Sequence, residues 1–188
     1  MKENNFFVYS FYRFKKINDI REIKLQLDNF FKKKFIKGTV LIAYEGINAS
    51  LSGNTAELDE TIDFVKKKLK IRKLNTKKNK VNSHSFNKLK VRIKKEIVSL
   101  GLGSLDINKL AGKYISPAEW DKVISQKNIK LIDTRNRYEI KIGKFKNSIN
   151  PKLNNFREFP IRFNAMNISK SQKIAMYCTG GIRCEKAS

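Results

Sequence analysis

A short apolar run, Ile174-Ala175-Met176-Tyr177, leads straight into Cys178-Thr179-Gly180-Gly181-Ile182-Arg183. This stretch constrains the chain more than any other. The run has the length and the boundaries of a buried strand, and Cys184, Glu185, Lys186 and Ala187 suit a helix that has just begun. A thiol between a strand end and a helix start lies where backbone N–H groups point outward and the helix dipole is positive. That environment favours the thiolate, the reactive form of cysteine. Two adjacent glycines let the loop curl into an anion-binding nest. Cys178 therefore reads as a nucleophilic or sulfur-carrying cysteine, with Gly180 and Gly181 supplying loop amides and Arg183 stabilising the anion. Cys184, one turn into the helix, reads either as a partner that resolves an oxidised Cys178 or as a small buried apolar residue. No His stands beside the loop, which removes a Cys–His dyad as the route of activation.

The chain before this loop alternates strand and helix. Tyr114-Ile115 is expected to form a short strand. Ser116-Pro117-Ala118-Glu119 has the layout of a capping box, with Ser at N-cap, Pro at N1 and Glu at N3, and the helix it starts carries Trp120, Val123 and Ile124. Lys130 to Asp133 is the next strand, Asn147 to Asn150 another, and Phe156 to Phe163 a helix interrupted by Pro160. This alternation argues for a parallel α/β sheet, in which reactive groups gather at the carboxyl ends of strands. Asp133 and Cys178 both sit at such ends. Asp133 and Arg135 brace the cysteine loop from the neighbouring strand, or form an ion pair tying the strand end to Arg137 or a backbone group.

The first half reads differently. Phe6 to Phe14 is an aromatic, β-prone strand, and its aromatics serve either as core or as a stacking platform for bases. Asn18 or Asp19 opens a helix with Ile20, Ile23, Leu27, Phe30 and Phe31 at helical spacing. Thr39 to Tyr44 and Ala49 to Ser52 are strands around a turn, and Asn54 or Thr55 caps a second helix with Leu58, Ile62, Val65 and Leu69 on one face. After a basic connector containing His84, Leu89 to Val98 is expected as the last strand. The order is β-α-β-β-α-β, the ferredoxin-like (acylphosphatase-like) arrangement. The organisation is thus a ferredoxin-like domain over 1–98, a Gly-containing linker over 99–112, and an α/β domain over 113–188.

The charge is lopsided: 41 Lys plus Arg face 17 Asp plus Glu, a net charge of +24. Such a surplus attracts polyanions, nucleic acid above all. The densest basic tract, with Lys66, Lys67, Lys68, Lys77, Lys78 and Lys80, is the candidate for phosphate contacts, or else a solvated helix end and loop. No apolar run is long enough to span a bilayer and no signal peptide opens the chain, so a cytoplasmic protein without membrane contact is expected. Two cysteines and one histidine make a poor disulfide framework and a poor zinc site, so no metal is expected.

Cys178 to Arg183 reads C-x-x-G-x-R, which resembles the active-site loop of rhodanese domains. Leu131-Ile132-Asp133-Thr134-Arg135, followed by Ile142-Gly143, resembles the other rhodanese signature. The fuller string Cys178 to Ser188, together with Lys37 to Asn48 and Lys90 to Val98, resembles the rhodanese-containing tRNA uridine hydroxylase family. That resemblance implies an oxidoreductase of tRNA modification that makes 5-hydroxyuridine at the wobble position, with molecular oxygen as co-substrate and the tRNA anticodon arm as partner; no motif for another cofactor is evident in the sequence. Four residues separate Cys178 from Arg183. Cysteine phosphatases carry five, a wider cradle for a tetrahedral oxyanion. Two other functions stay open: a sulfurtransferase passing persulfide sulfur from a donor such as thiosulfate, and a non-catalytic RNA-binding remnant. A rhodanese domain continues past the point where this sequence stops, so a truncated domain is expected.

Overall fold

Tyr9 and Phe11 decide which face of the first strand turns inward: they are 1% and 2% exposed, while their neighbours on either side are half-buried. In the computed structural model, which describes residues 6–103, 105, 107 and 111–188, the chain divides into two units, Met1–Ile97 and Val98–Ser188.

The first unit begins with β1 (Phe6–Phe14), α1 (Ile20–Phe31), β2 (Lys37–Ala43), β3 (Gly46–Asn54) and α2 (Thr55–Leu69). The apolar stripe of α1 buries Ile20, Leu27 and Phe31, and that of α2 buries Leu58, Ile62, Val65 and Leu69. Both stripes pack with Tyr9, Phe11, Val40, Ile42, Ile47 and Leu51 in one core. The Asn54 side chain accepts from the Glu57 amide, which starts α2 where the sequence indicates. Late lysines suit the negative end of that helix dipole. Close strand approach requires two glycines. Gly38 (φ 136°) and Gly46 (φ 151°) each leave a Cβ only 2.1 Å from a carbonyl oxygen, that of Ser50 and of Arg13 respectively.

One strand departs from expectation. The supposed basic connector contains β4 (Asn75–Val81), paired antiparallel with β1. Lysines hide it, because both faces of this edge strand meet solvent and no apolar alternation is needed. It closes the β-α-β-β-α-β series. The strand expected over Leu89–Val98 is instead β5 (Leu89–Ile93), an addition running parallel to β2. The sheet order is β4-β1-β3-β2-β5. His84, which the sequence places in the basic connector, lies between the rings of Phe6 and Phe35, each 4.7 Å away, and burial lowers its pKa.

The second unit holds α3 (Pro117–Ile124), β6 (Ile129–Asp133), α4 (Arg137–Ile140), a 3-10 turn (Phe156–Glu158), α5 (Phe159–Asn164), β7 (Lys173–Tyr177) and α6 (Ile182–Ala187). β6 and β7 pair in parallel, which bears out the α/β class. Asn147 to Asn150 contributes a single bridge, Ile149 beside Ile132, rather than a strand. Tyr114 and Ile115 have no strand partner and form none. Pro160 sits in the first turn of α5, where its missing N–H costs nothing. The core gathers Leu100, Ile132, Leu153, Phe156 and Phe159. Leu100 falls within the 99–112 stretch read as a linker, yet it is 3% exposed and packed in this core. Residues 104, 106 and 108–110 of that stretch lie outside the described residues.

Candidate functional site

The parallel register sets Asp133 beside Tyr177 at the carboxyl ends of β6 and β7, and Cys178 follows one residue later. Gly181, at φ 91°, turns the chain into α6 and points its amide at the Cys178 sulfur, N to Sγ 2.9 Å. A residue with a side chain is strained at that angle. Gly180 has open space around its Cα, so packing does not demand glycine there. The Cys184 thiol hydrogen-bonds the Cys178 sulfur. That bond, with the Cys184 and Gly181 amides and the Arg183 charge, outweighs burial and pulls the Cys178 pKa far below the usual thiol range. Cys184 moves the other way: its bond to Cys178 and its burial keep it protonated. The bond between the two sulfurs thus favours the thiolate on Cys178 and the thiol on Cys184. Thr134 Oγ1 lies 3.5 Å from the Cys184 sulfur.

Arg183 is not a free cation over the thiolate. Its guanidinium makes a two-pronged bond to Glu139, Nη1 to Oε2 2.7 Å and Nη2 to Oε1 2.6 Å, while also meeting the Cys178 sulfur. Burial raises the Glu139 pKa, but hydrogen bonds from Arg183 and Thr179 overcome it and hold the carboxyl at about 2. The Thr179 hydroxyl donates to Glu139 Oε1 at 2.5 Å, and the Asn136 amide donates to Oε2 at 3.0 Å. The second bond closes the N-terminus of α4.

Asp133 is fully buried. Its carboxylate takes Arg135 Nε at 2.9 Å and Nη2 at 2.8 Å, and the Tyr177 hydroxyl at 2.5 Å. Arg135 also donates to the Gly143 carbonyl at 2.6 Å. The partner of Asp133 is thus Arg135, not Arg137, whose guanidinium reaches Asn154. Through Tyr177 this cluster grips the residue before the cysteine. A pocket of about 370 Å³ opens beside Cys178, lined by Arg135, Gly143, Lys144, Phe145 and Tyr177. Phe145 and Tyr177 meet edge to face at 4.8 Å. The site therefore offers a thiolate, the Lys144 cation, an Arg135 already paired with Asp133 and an aromatic wall, and can hold a planar polar ring against a nucleophile.

The structure brings together Cys178, Gly181, Arg183, Cys184, Asp133 and Arg135, all expected from the sequence, with Gly180 in the same loop. It adds Glu139, Tyr177 and Thr179. Glu139 and Tyr177 have a sequence signal only as cap and strand residues, because their partners lie 44 residues away. The lysines belong to the first unit: Lys66, Lys67 and Lys68 end α2, while Lys77, Lys78 and Lys80 lie on β4. Among the described residues no group of three or more His, Cys, Asp or Glu side chains could hold a metal ion, and no helix is long and apolar enough to cross a membrane.

Two family models match the chain: the UPF0176 acylphosphatase like domain over residues 6–97 and the Rhodanese-like domain over residues 116–188. The tRNA uridine(34) hydroxylase of the Wolbachia endosymbiont of Brugia malayi is 46% identical over 188 residues, covering 98% of this chain and 68% of that protein. The chain belongs to the tRNA uridine(34) hydroxylase family. Relatives of the same description from Wolbachia pipientis wMel and Legionella pneumophila are 44% and 40% identical, covering 98% and 96% of this chain. The chain spans about two thirds of the length of the relatives it matches, 66% and 72% of these two. In this hydroxylase-family chain, the cysteine loop lies within the region matched by the Rhodanese-like domain.

Proposed function

We propose that the chain takes part in tRNA modification in the cytoplasm, as an oxidoreductase that hydroxylates the wobble uridine at position 34 to 5-hydroxyuridine, with molecular oxygen as co-substrate. The observation that carries this reading is the kinship over nearly the whole chain with proteins described by that activity. The geometry around Cys178 supports it. A thiolate beside a half-aromatic pocket is placed to attack an electron-poor pyrimidine ring. Bonding of the sulfur to C6 breaks the C5–C6 π bond and moves its electrons toward O4, which leaves C5 electron-rich. After C5 takes one atom of oxygen, loss of the C5 proton and departure of the thiolate from C6 restore the double bond, while an external two-electron donor and two protons carry the second oxygen atom off as water. Lys144, at the pocket, offsets the charge that develops, while Arg135 stays paired with Asp133. In this reading Cys178 is the nucleophile, Cys184 holds its proton, Gly180, Gly181 and Arg183 stabilise the anion, and Asp133 and Arg135 position Tyr177. The first domain, 1–98, holds the anticodon arm, and the second, 113–188, presents the cysteine.

Glu139 weighs against a persulfide-carrying sulfurtransferase. Its carboxylate neutralises Arg183, so a dianion such as thiosulfate meets less positive charge than the loop sequence implies. Mass spectrometry of tRNA from cells lacking the gene tests the proposal. The 5-hydroxyuridine signal should vanish, return with the wild-type gene and stay absent with Cys178→Ala. Unchanged modification would sink the reading, and cyanide-dependent sulfur transfer lost in Cys178→Ala would replace it.

A further inference from the structure

α1 and α2 cover one face of the five-stranded sheet, the face carrying Tyr9, Phe11 and Leu51. Strand alternation sends the intervening residues to the other face. There the pairing register sets Lys77, Ser10, Ser50, Thr39 and Lys90 side by side, one from each strand. The hydroxyls of Ser10 and Ser50 touch at 2.8 Å. The adjoining row includes Tyr12 and Arg92. At one end the chain folds over this face, where the Ser85 amide donates to Ser52 Oγ at 3.2 Å. At the other end, Asn48 Nδ2 donates to the Ile97 carbonyl at 2.9 Å. Between them lies a floor of hydroxyls, one phenol, Asn48 and Leu41, with a cation on each flank. None of the five strands contains an Asp or Glu.

We propose that this sheet face, opposite α1 and α2, is a docking surface for single-stranded RNA. Lys77, Lys90 and Arg92 take phosphates, Tyr12 stacks on a base, and the serine and threonine hydroxyls meet base edges and 2′-hydroxyls. The occupant follows from charge complementarity and from the mixture of groups: cations on strands that carry no Asp or Glu favour a polyanion, and a largely polar floor with one aromatic ring suits unstacked bases rather than a closed duplex. The inference rests on the tRNA reading and deepens it by naming the contact surface. It also divides the basic tract. Lys78 lies on the helix side of the sheet, 4.5 Å from the Tyr9 ring centroid and ion-paired with Asp59 at 2.8 Å, and Lys66 pairs with Asp63. Only Lys77 of that tract's strand pair of lysines, 77 and 78, faces the floor.

Fluorescence anisotropy of the full chain with a labelled tRNA anticodon stem–loop, a uridine-rich single strand and a blunt RNA duplex tests this surface. The triple variant Lys77→Gln, Lys90→Gln, Arg92→Gln should bind the stem–loop and the single strand about tenfold more weakly at moderate salt. Its slope of log affinity against log salt should fall by about 2, at about 0.7 per lost phosphate contact. Tyr12→Leu, which keeps apolar bulk, should also weaken binding about tenfold through lost stacking. The charge-matched triple Arg21→Gln, Lys32→Gln, Lys33→Gln, on the α1 side, should stay within about twofold of wild type. Equal loss in both triples, undiminished binding in the sheet-face triple and in Tyr12→Leu, or duplex binding as tight as single-strand binding would each overturn the surface. The hydroxylase reading fails separately: sheet-face variants that lose RNA while gene deletion leaves 5-hydroxyuridine unchanged keep the surface and sink that activity.

Discussion

Arg183 holds Glu139 with one side of its guanidinium and meets the Cys178 sulfur with the other, so two residues tune the reactivity of a third. The hydrogen bond from Cys184, backed by two amides and this cation, brings the Cys178 pKa down to about 5. The rate of iodoacetamide labelling at Cys178 should therefore be half-maximal near pH 5, and Cys184→Ala should move that midpoint upward, toward ordinary thiols. A midpoint unmoved by Cys184→Ala would assign the shift to the loop alone. Glu139 gives a second pH test. Its carboxyl is depressed from the usual 4.5 to about 2, so the stability it contributes is complete above pH 4.5 and is lost as pH falls toward 2. Glu139→Gln should cost about 2 kcal/mol at neutral pH, from breaking a mostly buried pair. Thermal melts of the two proteins should draw together as pH falls from 4.5 and converge only near pH 2. Cys178 and its glycines are legible in the sequence because the loop is local. Glu139 and Tyr177 are not, because their roles depend on contacts made across the fold.

Strand β4 shows how an element hides. A half-buried strand announces itself by alternating apolar residues, but Asn75–Val81 carries three lysines and lies at a sheet edge where lysine discourages pairing with another chain. The helices are legible because each needs a continuous apolar stripe and a cap, and both are written in neighbouring residues. The caps have measurable worth: Asn54→Ala removes the bond to the Glu57 amide and should lower stability by about 1 kcal/mol in urea titration. The turn between β2 and β3 is less forgiving. Gly46→Ala drives a Cβ to within 2.1 Å of the Arg13 carbonyl oxygen at φ 151°, and should cost about 3 kcal/mol or abolish folding. A Gly46→Ala protein as stable as wild type would mean that β1 and β3 can separate at that end without loss.

Each unit has its own apolar core, and the one tryptophan, Trp120, belongs to the second. Urea unfolding followed by tryptophan fluorescence should therefore report the second unit alone, while far-ultraviolet circular dichroism reports both. The two curves should have different midpoints, and coincident curves would mean that the units unfold as one cooperative body. The surplus of 24 positive charges is legible at a glance, but which surface uses it depends on strand register, which composition does not contain. Glu139 links these levels. The same carboxylate closes the first turn of α4 at Asn136 and fastens Arg183, so forming that helix and placing the cation that meets the sulfur are linked. A nascent or partly unravelled chain carries an unremarkable, protonated thiol, slow to react with stray oxidants on the ribosome, and the cysteine becomes chemically live only once its surroundings are built.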